Sequence, residues 1–186
     1  MPDKLFKGEL VENRIVIWDI EDSKKIFGNG YFGKPLGVPK PKGTDFDAPL
    51  ILDLIEGYHL VEEKKLTIRD SVSGKIISKK KLIEKCKNEY VLFKEKFLVY
   101  KELRSRGYIV TPGIKFGSDF AVYERGPGID HAPYIIQVML PQSNLTATGI
   151  VLAGRLATTV KKKFLIAVVK DSNEEVEFLS FEWWRA

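Results

Sequence analysis

Three side-chain types that together can cut a phosphodiester without a metal stand near one another in the second half of this sequence. Tyr123 and His131 lie in the run RGYIVTPGIKFGSDFAVYERGPGIDHAPY (Arg106 to Tyr134), and a lysine cluster, Lys161, Lys162 and Lys163, closes GRLATTVKKK about thirty residues later. When a ribose 2′-OH attacks its neighbouring phosphorus, the reaction needs a base for the nucleophile and an acid for the departing 5′-oxygen. It also needs a cation for the charge that grows on the phosphate. A phenol, an imidazole and an ammonium can fill those places.

Each residue alone has a plainer explanation. A lysine cluster at a helix C-terminus complements the helix dipole whatever else it does. A single tyrosine is an ordinary core or surface aromatic. Of the two histidines, His59 lies in an apolar stretch and reads as a buried structural residue, which leaves His131 as the candidate.

The elements that must carry these groups follow from periodicity and punctuation. Lys4 to Trp18 alternates apolar positions around a polar break at Glu12 and Asn13, as a hairpin does. EDSKKIFG suggests a short helix stopped by Gly28, and the Pro- and Gly-rich stretch Gly28 to Asp47 reads as one long loop. APLILDLIEGYHLV shows helical spacing to about Ile55 and a stop at Gly57, with a strand following from Leu60 to Ile68. The longest helical pattern runs from Ser78 to Gly107, and the domain boundary is expected inside it near Asn88, giving an N-terminal domain of residues 1–87 and a C-terminal domain of residues 88–186. Beyond it, YIVTP, FGSDFAVY, PYIIQVML, FLIAVV and VEFLSF read as strands and Leu145 to Lys163 as a helix, so Tyr123 falls at a strand end and His131 just before the next strand. The expected class is α/β or α+β, with a mixed sheet covered by helices.

Composition narrows the possibilities further. A chain of 186 residues with 44% hydrophobic content can bury a real core. No apolar stretch approaches a membrane span, and the charged start lacks the apolar core of a signal peptide, so the cytoplasm is the expected location. Cys86 is the single cysteine, which excludes an intramolecular disulfide and a cysteine zinc site within the chain. The net charge of +5 permits a polyanionic partner, and the 30% charged content would suit a thermophile. There is no phosphate-binding G-x-x-x-x-G-K-[ST], and the G-x-G at Gly28 and Gly30 lacks the helix that a dinucleotide motif requires.

From about Leu98 to Val169 the chain resembles the catalytic domain of the archaeal tRNA-splicing endonucleases. The family's block LVY(K)(D/E)LRxRGYxVxxGxKFGxDFxxYxRG stands here as LVYKELRSRGYIVTPGIKFGSDFAVYERG, followed by His131 and then by RLATTVKKK for RxAxxVxKK. The resemblance implies a small N-terminal α/β domain followed by a restriction-endonuclease-like nuclease domain with a central mixed sheet. It assigns the catalytic tyrosine to Tyr123, the histidine to His131 and the lysine to Lys162, with Lys161 the alternative if the helix register slips. It implies a metal-independent endoribonuclease, a tRNA-intron lyase without a cofactor, leaving 2′,3′-cyclic phosphate and 5′-OH ends. A tyrosine of ordinary pKa, about 10, is a poor base at neutral pH. Lys162 and Arg155 are the cations expected to lower it; the alternative is that the tyrosine mainly positions the hydroxyl.

The resemblance also implies the partners. The substrate is precursor tRNA carrying a bulge-helix-bulge at its exon–intron junctions. Arg155 matches the arginine that opens the later motif and is expected to share a helix face with Lys162. Trp183, Trp184 and Arg185 are further candidates for holding bulge bases, although a tryptophan pair can equally cap a core or a subunit contact. Lys40 and Lys42 resemble a lysine-bearing insertion of heteromeric members, with a solvated loop charge as the plain alternative. Two cleavage points call for paired sites, and an α2β2 assembly with a structural subunit is favoured over a homotetramer. The turn Lys170 to Glu175 corresponds to an acidic loop that inserts into a neighbouring subunit. Two other readings compete: a noncatalytic RNA-binding or structural subunit, and a metal-dependent nuclease that would gather Asp119, Glu124 and Asp130 around an ion.

Overall fold

The computed structural model describes residues 5–39, 41, 43–159, 161–170 and 174–181. The chain divides between Phe93 and Lys94 into two compact units, each with its own five-stranded mixed sheet. Among the described residues, no helix is long and apolar enough to cross a membrane.

In the first unit the expected hairpin forms from β1 (Phe6–Val11) and β2 (Arg14–Ile17), in antiparallel register with Glu9 opposite Val16. The helix α1 (Ile20–Gly28) starts at Asp19, whose carboxylate accepts the Asp22 amide at 2.8 Å, the usual work of an N-terminal aspartate. The long loop after it is not wholly irregular. Lys34–Pro35 (β3) pairs with Leu50–Leu52 (β4), which fastens its middle to the sheet.

The next segment departs from expectation. Leu50–Leu52 is a strand, and the helix α2 runs Leu54–Glu62, straight through Gly57, before β5 (Leu66–Asp70). Asp53 and Glu56 form a reciprocal capping box, the Glu56 side chain accepting the Asp53 amide at 2.8 Å, which sets the helix start. Gly57 is there for proximity: a Cβ on it would lie 2.1 Å from Ile15 Cδ1, so its bare backbone lets α2 lie against the sheet. The sheet order is β3-β4-β2-β1-β5, with β1 and β5 parallel.

The long helical pattern is two helices, α3 (Lys79–Glu89) and α4 (Phe93–Ser105). Leu92 turns the chain at φ 59, and the phenol of Tyr90 donates to the Asp53 carboxylate, so the break is pinned to α2's cap. Burial and that carboxylate's charge push the Tyr90 phenol well above the usual tyrosine range.

The second unit continues from α4 with β6 (Ile109–Pro112), a 3₁₀ turn (Ile114–Phe116), β7 (Phe120–Tyr123), β8 (Tyr134–Met139), α5 (Ala147–Thr159), β9 (Lys163–Val169) and β10 (Val176–Ser180). The sheet order is β10-β9-β8-β7-β6, and only β8 and β9 are parallel. A parallel pair needs a crossover, which α5 supplies. Ile135 is fully buried, with Phe164 and Ile166 beside it, and Phe116 and Ala153 pack against them. Burying Ile135, Phe164 and Ile166 stabilises the fold by roughly 1.5–3 kcal/mol each.

The end of α5 is a second departure. The helix stops at Thr159, Lys161 takes φ 54, and Lys163 opens β9 by donating its amide to the Pro133 carbonyl at 2.8 Å. The helix therefore does not reach Lys162, and Arg155 and Lys162 do not share a helix face. Three lysines in a row can continue a helix by propensity, but a ladder bond to a strand thirty residues earlier outweighs it.

Candidate active site

The register of the second sheet brings the three candidates to one end of it. Val122 pairs with Tyr134 across β7 and β8, and Tyr134 with Lys163 across β8 and β9. Tyr123 ends β7, His131 stands just before β8, and Lys162 stands just before β9. Adjacent strands lie about 4.8 Å apart, so the backbones of Tyr123 and Lys162 are about 10 Å apart, with the segment from His131 between them. Strand ends are where a rigid sheet presents reactive groups.

Tyr123 is half-buried on the edge toward β6, opposite Ile109. Burial raises its pKa above the usual tyrosine value, the Asp130 charge raises it further, and a hydrogen bond with the Thr111 side chain opposes both. Neither Lys162 nor Arg155 is among the groups that act on it, so the expectation that these cations lower its pKa does not hold. The phenol is protonated at neutral pH.

Lys162 is half-buried and held from two sides. Its ammonium donates to the Ala132 carbonyl at 2.5 Å and lies 4.9 Å from the centre of the Phe116 ring, a cation–π contact of about 0.5–2 kcal/mol. Burial lowers its pKa, and the charge of Asp130 opposes the shift. His131 is exposed, between the half-buried Asp130 and Ala132, which is 2% exposed.

Tyr123 and His131 are joined by the loop Glu124 to Asp130. Gly126 and Gly128 adopt φ 132 and φ 90, conformations that favour glycine, so the ERGPGID spacing has a backbone cause. The Asp130 carboxylate accepts the Arg125 amide at 3.0 Å and the Gly126 amide at 2.9 Å.

Asp119, Glu124 and Asp130 do not gather. Asp119 lies at the far end of β7, about 13 Å along the strand from Tyr123. There it pairs with Lys96 at 2.7 Å and accepts from Gln137 and the Val138 amide. Among the described residues, no group of three His, Cys, Asp or Glu converges as metal ligands would.

Arg155 is exposed on α5. Lys40, Lys42, Trp183, Trp184 and Arg185 lie outside the described residues, as do residues 171–173 of the turn from Lys170 to Glu175. Sequence reasoning missed three contributors: Thr111 beside Tyr123, Phe116 beneath Lys162, and Asp130 as the clamp of the loop. Strand alternation in YIVTP carries a signal for Thr111, and an aspartate closing a glycine turn carries one for Asp130. Phe116 had none, because its partner is far along the chain.

His59 is 7% exposed, stacks on Phe32 and lies 3.3 Å from Glu63 through Nε2, a buried role within α2. Cys86 is buried, and desolvation pushes its thiol up to about 12, which leaves it inert.

Both units match known families. Residues 6–83 match the model of the tRNA intron endonuclease N-terminal domain, and residues 93–178 that of the tRNA intron endonuclease catalytic C-terminal domain. The chain is 40% identical to a tRNA-splicing endonuclease of Hyperthermus butylicus over 179 residues, covering 96% of this chain and 98% of that protein. It is 40% identical to one of Pyrobaculum islandicum over 180 residues, covering 95% and 98%. It is 38% identical to one of Sulfurisphaera tokodaii over 177 residues, covering 95% and 97%.

Proposed function

This chain belongs to the tRNA intron endonuclease family, and we propose that it is the catalytic subunit of a tRNA-splicing endonuclease that cuts precursor tRNA at exon–intron junctions. The observation that carries this reading is the row formed by the end of β7 and the starts of β8 and β9, which supports Tyr123, His131 and Lys162 acting on one phosphodiester.

In this mechanism the Tyr123 phenolate takes the proton of the ribose 2′-OH. The freed oxygen attacks phosphorus, the bond to the 5′-oxygen breaks, and His131 gives its proton to that leaving oxygen. Lys162 offsets the charge that develops on the phosphate. The products are a 2′,3′-cyclic phosphate and a 5′-OH, so the reaction is a lyase step that consumes no water. Because burial keeps Tyr123 mostly protonated, its reactive form is a minority at neutral pH.

The substrate element is a bulge-helix-bulge, and Arg155, exposed on α5, is the described candidate for holding a bulge base. Lys40, Lys42, Trp183 and Arg185 complete the proposed RNA contacts. The working assembly is an α2β2 heterotetramer with a structural partner, which supplies two sites for two cuts. The test is cleavage of a bulge-helix-bulge precursor in excess chelator, by the chain alone and with a structural subunit, followed by analysis of the ends. Cyclic phosphate and 5′-OH ends are expected. Ends bearing a 3′-OH, or an absolute need for a divalent ion, would overturn it.

A further inference from the structure

We propose that Asp130 is a positioning residue of this site, whose carboxylate fixes where the chain presents His131 relative to Tyr123 and Lys162. The inference rests on the catalytic reading of those three residues and adds a fourth group that no substrate atom need touch.

The ladder between β7 and β8 ends at Val122 and Tyr134. The neighbouring strands hold only Tyr123, opposite Ile109, and Pro133, which accepts from Lys163, so among the described residues the stretch from Glu124 to Ala132 has one isolated bridge, between Pro127 and Asp130. His131 lies in that gap, three residues short of β8. The carboxylate of the loop's last residue supplies much of the missing hold. One oxygen of Asp130 accepts from Arg125 and the other from Gly126, the two amides that follow Glu124 at the loop's start. Asp130 and Ile129 also donate their own amides to the Gly126 carbonyl at 3.1 Å, so the loop is closed at both of its ends by the same pair of residues. On the other side of His131, buried Ala132 gives its carbonyl to Lys162. The imidazole is exposed, but the residues on both sides of it are pinned.

The carboxylate also lies within electrostatic reach of the site, because its charge acts on Tyr123 and on Lys162 alike. Replacing it leaves the three reactive groups in the chain but frees their spacing, and a misplacement of about 1 Å is enough to cost on the order of 100-fold in rate.

The experiment compares Asp130→Ala and Asp130→Asn in the full chain, with its partner subunit if one is required, on a bulge-helix-bulge precursor. It reads the single-turnover rate, the RNA dissociation constant and the melting temperature. Asp130→Ala removes both acceptors, whereas Asp130→Asn keeps one oxygen for one of the two amides. The expected result is a loss of about 100-fold in rate for Ala, partly rescued to about 10-fold for Asn, with RNA affinity changed by less than about threefold. A rate within about threefold of the parent for both variants would overturn the proposal. So would a loss matched by an equal loss of RNA binding. If the Ala variant does not fold, a folded Asn variant decides: a reduced rate supports the role and a parental rate refutes it. Tyr123→Phe and Lys162→Ala are run beside them. If these retain activity, the catalytic reading has failed; if only the Asp130 variants do, the positioning role alone has.

Discussion

The ammonium of Lys162 donates to the carbonyl of Ala132, the residue directly after His131, at 2.5 Å. The cation proposed to stabilise the phosphate is therefore tied to the backbone that carries the proposed acid, across the parallel pair β8 and β9.

That placement sets a pH dependence. Burial lowers the Lys162 pKa, against the pull of Asp130, with the Phe116 ring and the Ala132 carbonyl as its other neighbours. The charged form is present below this lowered value and is lost as pH rises through it. Cleavage should thus fall on the alkaline side below the ordinary lysine value of about 10.4. Lys162→Arg, which stays charged, should move that limb to higher pH in background-corrected single-turnover rates. An unmoved limb would assign it to another group.

Removing each reactive group should separate chemistry from binding. Tyr123→Phe, His131→Ala and Lys162→Ala should each lower single-turnover cleavage by about 10²–10⁴-fold, the range for a lost acid, base or electrostatic partner. RNA affinity, measured by filter binding, should stay near the parent value.

Thr111→Val should have a smaller effect with a defined direction. Among the described residues the Thr111 side chain is the group that opposes the rise in the Tyr123 pKa. Without it the phenolate becomes rarer still, and the rate at neutral pH should drop by about 3–10-fold, in keeping with one hydrogen bond of about 1 kcal/mol. An unchanged rate would mean that phenolate population does not limit cleavage.

Gly57→Ala tests the packing of α2. With its Cβ 2.1 Å from Ile15 Cδ1, the substitution should destabilise the chain by about 1–3 kcal/mol in denaturant unfolding. Ile15→Ala, which removes the colliding atoms, should make the Gly57→Ala change less damaging than it is alone, a coupling that a double-mutant cycle detects.

Lys96→Met probes the far end of β7. Lys96 and Asp119 are 16% and 11% exposed and lie 2.7 Å apart. Removing the lysine leaves the half-buried carboxylate, among the described residues, with Gln137 and the Val138 amide, and should lower stability by about 1–3 kcal/mol. Activity per folded molecule should change little, because that end carries no reactive group.

The elements legible in the sequence are those whose cause is local. The β1–β2 hairpin follows from alternation around Glu12, and the strands of the second sheet follow from short apolar runs between glycines. What the sequence conceals is caused at a distance. Gly57 reads as a stop signal, and only the nearness of Ile15 shows that it serves packing. The pattern from Ser78 to Gly107 reads as one helix, since nothing near Leu92 announces that Tyr90 is bonded to Asp53. The end of α5 is hidden for the same reason: the bond from Lys163 to Pro133 decides it. Tyr123, His131 and Lys162 can be named because the family pattern quotes them in order, but their contacts with Thr111, Phe116 and Asp130 depend on strand neighbours that no linear pattern contains.

The crossover from β8 through α5 to β9 gives the two halves of the site unequal tolerance to change in chain length. His131 and Lys162 are set by the starts of two adjacent parallel strands, so residues inserted or deleted in the segment 140–146 leave their separation unaltered as long as the ladder forms. Tyr123 and His131 are joined by a short loop that its last carboxylate ties to its first amides, and there a single added residue would shift the proposed acid against the proposed base. A change of length is thus expected to leave the rate near the parent value on the helix side and to cost rate on the loop side.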